Sequence, residues 1–384
     1  LRFWFLVSGF WFVFSLPSHC STIQSMTSVR SVFAGTGSYI PPVRVPNDDF
    51  LNHDFRDAGG TKIAKSNREI LDQFEAITGI RERRYAPEGL VTSDIAFEAA
   101  RNALESSQID PETLDSIIVA HNFGDVRAPR GRSDLVPALA ARVKAKLRIK
   151  TPRTVAFDLI FGCPGWIQGV IQSDCMIRSG DIRRAMVIGA DTLSRISDPY
   201  DRDSLIYADG AGAAILEMST GNHDAGIIAH VSRSDTIDHS GMLSMGPSYN
   251  NAVFLESLFL KMEGRKLYKY ALQNVAAAMK QCLDQAGVPV TAVAKILLHQ
   301  ANGKMDEGIV RTFYDLYGIA EPPADVLPMT ISWLGNSSVA TVPTLLDLIS
   351  KGQLAPHALA SGDLALFASV GAGMHINAFL YRVP

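Results

Sequence analysis

The sequence predicts an α/β protein whose sheets carry helices on both faces. Two observations lead there. Short apolar runs of strand composition, such as Ile117-Ile118-Val119-Ala120 and Ala185-Met186-Val187-Ile188-Gly189-Ala190, recur along the chain. Between them lie longer stretches whose apolar residues repeat at helical spacing, so strand and helix alternate as in βαβ units. At 384 residues there is room for two domains or two halves, and 47% hydrophobic with 20% charged residues is ordinary globular composition.

The first 25 residues differ from the rest. Leu1 to Leu16 is an aromatic-rich apolar run, shorter than the roughly 20 residues of a spanning helix. It could pass for the apolar part of an export signal, but it begins with Leu and holds only one basic residue, Arg2, at its start. The expectation is that Met26 is the natural start and residues 1–25 are an upstream or leader segment. From Ser31 the elements follow in order: strand Val32 to Ala34, then a helix through Ala96, Phe97, Ala99, Ala100, Ala103 and Leu104, capped by Ser93 or Asp94. Strand Ile117 to Ala120, a loop over 121–136 and a helix from Pro137 to Leu147 come next. The strand Thr154 to Phe157, the turn at Cys163 and a helix closing at Ser179-Gly180 follow, then strands Ala185–Ala190 and Ala213–Leu216.

Ser219-Thr220-Gly221-Asn222-His223 is a polar break and the best boundary, dividing residues 26–223 from 224–384. Beyond it the order repeats. Strand Gly226 to Val231 leads to an amphipathic helix Lys266–Ala286, strand Ala294–Leu298, helix Met305–Tyr317 and a helix from Ser338 to Ile349. Two strands, Leu364–Ala368 and Ile376–Tyr381, close the chain around Gly371-Ala372-Gly373.

Charge and cysteine usage exclude several classes. A net charge of -3 gives no reason to expect nucleic acid or an anionic membrane as partner. Cys20, Cys163, Cys175 and Cys282 are scattered without pairing or CxxC spacing, which indicates neither a disulfide framework nor a zinc site. A reducing, cytoplasmic setting follows.

Three positions stand just past a buried strand, where α/β folds place ligands. Cys163, followed by Pro164 in a first helical turn, would feel the positive end of a helix dipole, which favours thiolate. His299 ends the strand Leu297-Leu298, and Asn336 sits in a glycine turn before a helix. Each has a plain alternative: a packed thiol, a satisfied structural imidazole, ordinary Gly-Asn turn chemistry. The residues one by one leave that choice open. Cys175, twelve residues beyond Cys163 on one helix, is expected only to pack.

Taken together they resemble β-ketoacyl-acyl-carrier-protein synthase III (KAS III), the thiolase-fold condensing enzymes that start fatty-acid chains. The resemblance runs from about Ser31 to Arg382. Its matching pieces are Gly35-Thr36-Gly37-Ser38-Tyr39, Thr78-Gly79-Ile80-Arg81-Glu82-Arg83, Asp198-Pro199-Tyr200-Asp201-Arg202 and Asp209-Gly210-Ala211-Gly212-Ala213-Ala214. The more telling pieces are His299-Gln300-Ala301-Asn302 and Gly335-Asn336-Ser337-Ser338 with Pro343. The resemblance implies two βαβαβαββ halves in a five-layered αβαβα arrangement, a Cys163–His299–Asn336 triad, and no metal or organic cofactor. Cys163 would take an acyl group from acyl-CoA as a thioester. The backbone N–H groups of Cys163 and Ala372 would form the oxyanion hole. His299 and Asn336 would stabilise the enolate left when a malonyl group on acyl carrier protein loses CO₂. Arg202 and Asn302 match contacts to the CoA or pantetheine arm. Gly371 and Gly373 match the loop beside the acyl group, and Lys269, Lys304 and Arg311 a face that docks the carrier protein. Relatives are homodimers.

Departures bear on substrate. Gln73 and Ile77 replace the tryptophan and arginine that clamp the adenine end of CoA, and the 121–135 loop is longer than in the familiar bacterial enzymes. Val136 stands where a bulky residue limits the acyl pocket from across the dimer, and His375 where a small hydroxyl residue is usual. Together these imply a wider acyl pocket. The lack of a second cysteine in the C-terminal loop speaks against thiolase itself, and Asn336 in place of a second histidine against the elongating synthases. The alternatives are a specialised homologue of secondary metabolism with a larger starter group and an inactive acyl-binding partner subunit.

Overall fold

The computed structural model describes residues 29–127, 132–219, 224–254 and 257–384, together with the backbone of Arg2–Val7 and Phe10–Ser15, which pair antiparallel. The expected start at Met26, Cys20, and residues 220–223 of the polar break lie outside the described residues.

Two sheets form the frame. The first contains β1 (Ser31–Tyr39), β2 (Ser116–Ala120), β3 (Val155–Leu159), β4 (Arg184–Thr192) and β5 (Asp209–Met218) in the order β1-β5-β4-β2-β3. Strands β2, β3 and β4 are parallel, and β5 runs antiparallel to β4 and β1. The second contains β6 (Gly226–Ser234), β7 (Val293–Leu298), β8 (Leu364–Gly371) and β9 (His375–Arg382) in the order β6-β9-β8-β7, with β7 and β8 parallel. The second sheet thus repeats the first, short of one strand. At the place of β3, beyond β7, the carbonyl of Val326 accepts from the Ile296 N–H at 2.7 Å, but no strand forms. That edge segment is bounded by Pro322, Pro323 and Pro328, which donate no ladder hydrogen bond.

Five layers follow from side-chain alternation. Ile117 and Val119 of β2 pack on one side with Ile95, Ala99 and Ala103 of the helix Thr92–Ser107. Ile118, of opposite pleat, joins Val170 of the helix Gly165–Ser179 and Leu345 of the helix Thr341–Ser350. In β8, Ala365 and Phe367 reach that same central layer, whereas Leu366, Ala368 and Val370 face the helices Gly264–Ala286 and Gly303–Asp315. Trp166 anchors the centre: it is 1% exposed, and its indole N–H donates to the Val187 carbonyl at 3.1 Å.

Most elements start earlier or end later than expected, and the differences have local causes. The strand expected to begin at Ala213 begins at Asp209, so the segment 209–212 is itself part of β5. Its glycine admits a backbone neighbour: a Cβ at Gly212 would lie 2.7 Å from the Thr344 nitrogen. The helix Thr92–Ser107 is capped at Val91 rather than at Ser93 or Asp94. The Asp94 carboxylate reaches back to the Val91 N–H at 2.9 Å, while Ser93 is engaged by Asp125. Three elements had no expectation: the helix Asn67–Thr78, held by a Ser66–Glu69 capping box, the antiparallel pair Val43–Pro46 with Glu82–Tyr85, and the ribbon Leu243–Pro247 with Leu258–Met262. Cys175 is exposed rather than packed, because it falls on the face of its helix opposite Trp166, Ile167, Val170 and Ile177.

Candidate active site

Cys163 lies between β3 and the helix Gly165–Ser179, with Pro164 as the helix cap. The turn is built by close approach to the loop after β8. Gly162 has φ +66, and a Cβ there would come within 2.7 Å of the Ala372 nitrogen. A Cβ at Gly371 would lie 2.4 Å from the Cys163 nitrogen. The two backbones named as oxyanion donors, Cys163 and Ala372, are therefore brought together by glycines on each side. Gly373, at φ +79, turns the chain away, and a Cβ there would strike the His375 ring. That ring stacks on Phe161 with centroids 4.1 Å apart, and its Nδ1 lies 2.7 Å from the Ser234 hydroxyl.

The second half supplies the other two residues. His299 follows β7, its backbone N–H donating to the Ala368 carbonyl at 2.9 Å. Gln300 then ties this strand end to the segment before Asn336, donating to the Pro328 carbonyl and accepting from the Thr330 and Ile331 N–H groups. Asn336 donates its backbone N–H to the Ile206 carbonyl at 2.9 Å, and its Oδ1 accepts from the Ser338 N–H at 2.9 Å. With that oxygen engaged, the side-chain amide is left as a donor. Buried Arg83 supports the same wall, donating to the carbonyls of Leu205 and Val45 and to Asn47.

Cys163, His299 and Asn336 line one cavity of about 60 Å³ that opens to solvent. Its walls are mostly apolar, among them Phe123, Leu193, Ile206, Leu260, Met262 and Met305. Such walls set the electrostatics. Burial pushes the Cys163 thiol up to about 11, with Asp191 adding to the rise and a hydrogen bond from Ser338 opposing it. This burial favours the thiol and opposes the pull toward thiolate expected of the helix terminus. Burial also lowers His299 to about 4, a backbone contact with Ser338 pulling the other way, so its imidazole is neutral at pH 7. Its Nδ1 has no partner among the described residues.

A chain of hydrogen bonds not expected from sequence runs behind the nucleophile. The Ser338 hydroxyl lies 3.4 Å from Cys163 Sγ, the Asn122 amide 2.9 Å from that hydroxyl, and Asp191 2.6 Å from the amide. Ser338 belongs to the quoted Gly-Asn-Ser-Ser run, but nothing in the sequence pattern joins it to positions 122 and 191.

The remaining named residues are not in the cavity wall. Asn302 caps the helix Gly303–Asp315, its side chain accepting from the Met305 N–H at 3.1 Å. Arg202 is half exposed, 3.8 Å from Asp203, in the turn that leads to Ile206 and Tyr207 of the wall. Lys269, Lys304 and Arg311 are exposed. Lys269 and Lys304 share helices with Leu267 and Met305, which line the cavity. Val136 is 85% exposed and lies outside its own chain's cavity. Gln73 is exposed and accepts from the Lys65 ammonium, and Ile77 is exposed. Among the described residues no group of three or more His, Cys, Asp or Glu side chains could hold a metal ion, and no helix is long and apolar enough to cross a membrane.

Two repeated sheets around a pair of central helices, each half delivering polar residues to one apolar chamber, define a thiolase-fold condensing acyltransferase. Comparison with known proteins narrows this. Residues 157–236 match the family model 3-oxoacyl-[acyl-carrier-protein (ACP)] synthase III, and residues 283–383 match the model of its C-terminal domain. The β-ketoacyl-[acyl-carrier-protein] synthase III of Erythrobacter litoralis is 32% identical over 358 residues, covering 92% of this chain and 99% of the relative. The crystal structure of 3-oxoacyl-[acyl-carrier-protein] synthase III from Aquifex aeolicus superposes with a TM-score of 0.74 at 28% identity, covering 92% and 99%. The priming β-ketosynthase of a polyketide biosynthetic pathway does so with a TM-score of 0.74 at 26% identity, covering 92% and 96%. The chain belongs to the 3-oxoacyl-[acyl-carrier-protein] synthase III family, condensing acyltransferases of fatty-acid synthesis.

Proposed function

We propose that Cys163 takes the acyl group of an acyl-CoA and passes it to the carbanion formed from malonyl-acyl carrier protein. The convergence of Cys163, His299 and Asn336 on one apolar cavity carries this reading. In the first half, the Cys163 sulfur bonds to the thioester carbon, the bond to CoA sulfur breaks, and the thiol proton ends on the departing CoA thiolate. The carbonyl oxygen, negative in the tetrahedral intermediate, faces the N–H groups of Cys163 and Ala372. In the second half, neutral His299 and the Asn336 amide donate to the malonyl thioester oxygen. Both bonds strengthen as CO₂ leaves and the oxygen becomes an enolate. The carbanion then attacks the acyl-Cys163 carbonyl, and the thiolate departs to take up a proton. No metal or organic cofactor enters these steps.

Exposed Lys269 and Lys304, on helices that also line the cavity, together with exposed Arg311, suit an acidic carrier protein, and Arg202 and Asn302 the pantetheine arm. The parallel strand β3 is a sheet edge that opens with Val155 at 59% exposure and is followed by Ile160 at 60%, which supports pairing of two copies there. In such a homodimer the exposed Val136 would meet the partner's acyl chamber. The free thiols of Cys163, Cys175 and Cys282 suit a cytoplasmic, reducing setting.

The apolar walls favour a starter larger than acetyl, the specialised reading. The test is condensation of malonyl-carrier protein with acetyl-, butyryl-, octanoyl- and branched acyl-CoAs. A kcat/KM highest for acetyl-CoA would place the enzyme in ordinary initiation and overturn the large-starter reading. Absence of product with every donor would overturn the condensing role itself.

A further inference from the structure

We propose that Ser338 is the hydrogen-bond donor that stabilises the Cys163 thiolate, and that Asn122 and Asp191 are positioning residues that hold its hydroxyl in that role. The inference rests on Cys163 being the nucleophile, and it concerns how that nucleophile is activated.

Donor counting sets the direction of the chain. Asp191, 1% exposed, accepts the Asn122 backbone N–H on Oδ1 at 2.9 Å and the Asn122 amide on Oδ2 at 2.6 Å. The Asn122 Nδ2 has two protons. One goes to Asp191 and the other to the Ser338 hydroxyl at 2.9 Å. A flipped amide would set its carbonyl against a carboxylate, so the orientation is fixed by the network. Ser338 Oγ therefore already accepts one hydrogen bond, and its single proton remains to be donated. Sγ is 3.4 Å away. Asp191 is the competing acceptor within reach, but it already accepts twice from Asn122, and the hydrogen-bond geometry of the Ser338 hydroxyl is met at Sγ.

The backbone supplies independent support. Ser338 has φ +55, in the left-handed region where a residue with a Cβ is strained and a glycine is not. A side chain kept at such a position, 3% exposed and against the nucleophile, is better explained by what its hydroxyl does than by turn geometry. It also compensates for the cavity: apolar walls raise the thiol, and Ser338 is a side-chain donor that opposes the rise. Ser338 keeps its own proton throughout, so it is not a base. The thiol proton leaves for the donor's thiolate as the acyl group arrives.

The test is the second-order rate of Cys163 alkylation by iodoacetamide between pH 6 and pH 9, read on the Cys163 peptide by mass spectrometry so that exposed Cys175 does not interfere. Below the thiol's midpoint this rate follows the thiolate fraction. Ser338→Gly, which also relieves the positive φ, should alkylate about tenfold more slowly across the range, a shift of about one pH unit. Ser338→Ala should do the same. Asn122→Ala should slow the reaction several-fold alone but add nothing to Ser338→Gly, because it acts through the same hydroxyl. In acyl transfer, kcat should fall while KM stays within twofold. A Ser338→Gly rate equal to wild type, or additive effects of the two substitutions, overturns the proposal. Alkylation needs no substrate, so this result is separate from whether the wild-type enzyme accepts any acyl donor.

Discussion

Replacing Gly371 by alanine perturbs the site at one defined point. Gly371 has φ −165 and ψ −165, extended backbone that any residue adopts, so the substitution carries no conformational strain of its own. Its Cβ, however, would lie 2.4 Å from the Cys163 nitrogen, 2.7 Å from Pro164 Cδ and 3.0 Å from Cys163 Cβ. All three atoms belong to the nucleophile's turn, and none is the free end of a flexible side chain. Restoring ordinary contact requires the two loops to separate by about 1 Å, enough to cost about 100-fold in rate where reacting atoms must be aligned. That is about 2.7 kcal/mol of activation free energy. Overpacking should lower folding stability by about 1–3 kcal/mol. The assay is the pre-steady-state rate of acyl transfer to Cys163, followed by quench and intact mass, beside urea denaturation. Acylation within threefold of wild type would refute the claim that these two loops form a closely fitted oxyanion site.

Two further expectations concern stability. The unfolded chain protonates His299 near pH 6.5 and the folded chain only near 4, so stability is present above 6.5 and lost as pH falls through this window. The loss reaches about 2 kcal/mol by pH 5. Asp191, raised to about 6 by burial, works in the opposite sense, the folded state gaining its proton first as pH falls. His299→Ala removes only the first contribution, so the wild-type minus variant stability should drop by about 2 kcal/mol between pH 7 and pH 5; a flat difference in urea titrations contradicts it. Trp166→Ala empties the centre of the middle layer and severs the bond to Val187. It should cost about 3–5 kcal/mol in denaturant unfolding, and a cost under 1 kcal/mol would contradict the packing described.

The layered frame was legible because short apolar strands and helical periods depend on neighbours in sequence. Cys163, His299 and Asn336 were legible for a related reason: each stands just beyond a recognisable element, where local pattern marks the ends of strands and helices. What escaped notice is held by distant partners. Asp191, Asn122 and Ser338 meet only once two strands and the second half have folded together. In the sequence pattern Arg83 is only one residue of a matching motif; its burial among the carbonyls of Val45 and Leu205 depends on segments far away in sequence. The ribbon Leu243–Pro247 with Leu258–Met262 gives Leu243, Leu260 and Met262 to the cavity wall, though neither strand has a strong pattern. The upward pull of burial on the thiol escaped for the same reason, since desolvation is a property of the assembled cavity and the helix dipole a property of one element.

The central claim is that Cys163 is the acyl carrier of this enzyme. Intact mass measured after incubation with acetyl-, octanoyl- and branched acyl-CoAs tests it most directly, with Cys163→Ala alongside. The account predicts one acyl group per chain, lost in Cys163→Ala and retained in a Cys175→Ala control. Acylation that survives in Cys163→Ala, or wild-type protein that gains no mass from any donor, would contradict it.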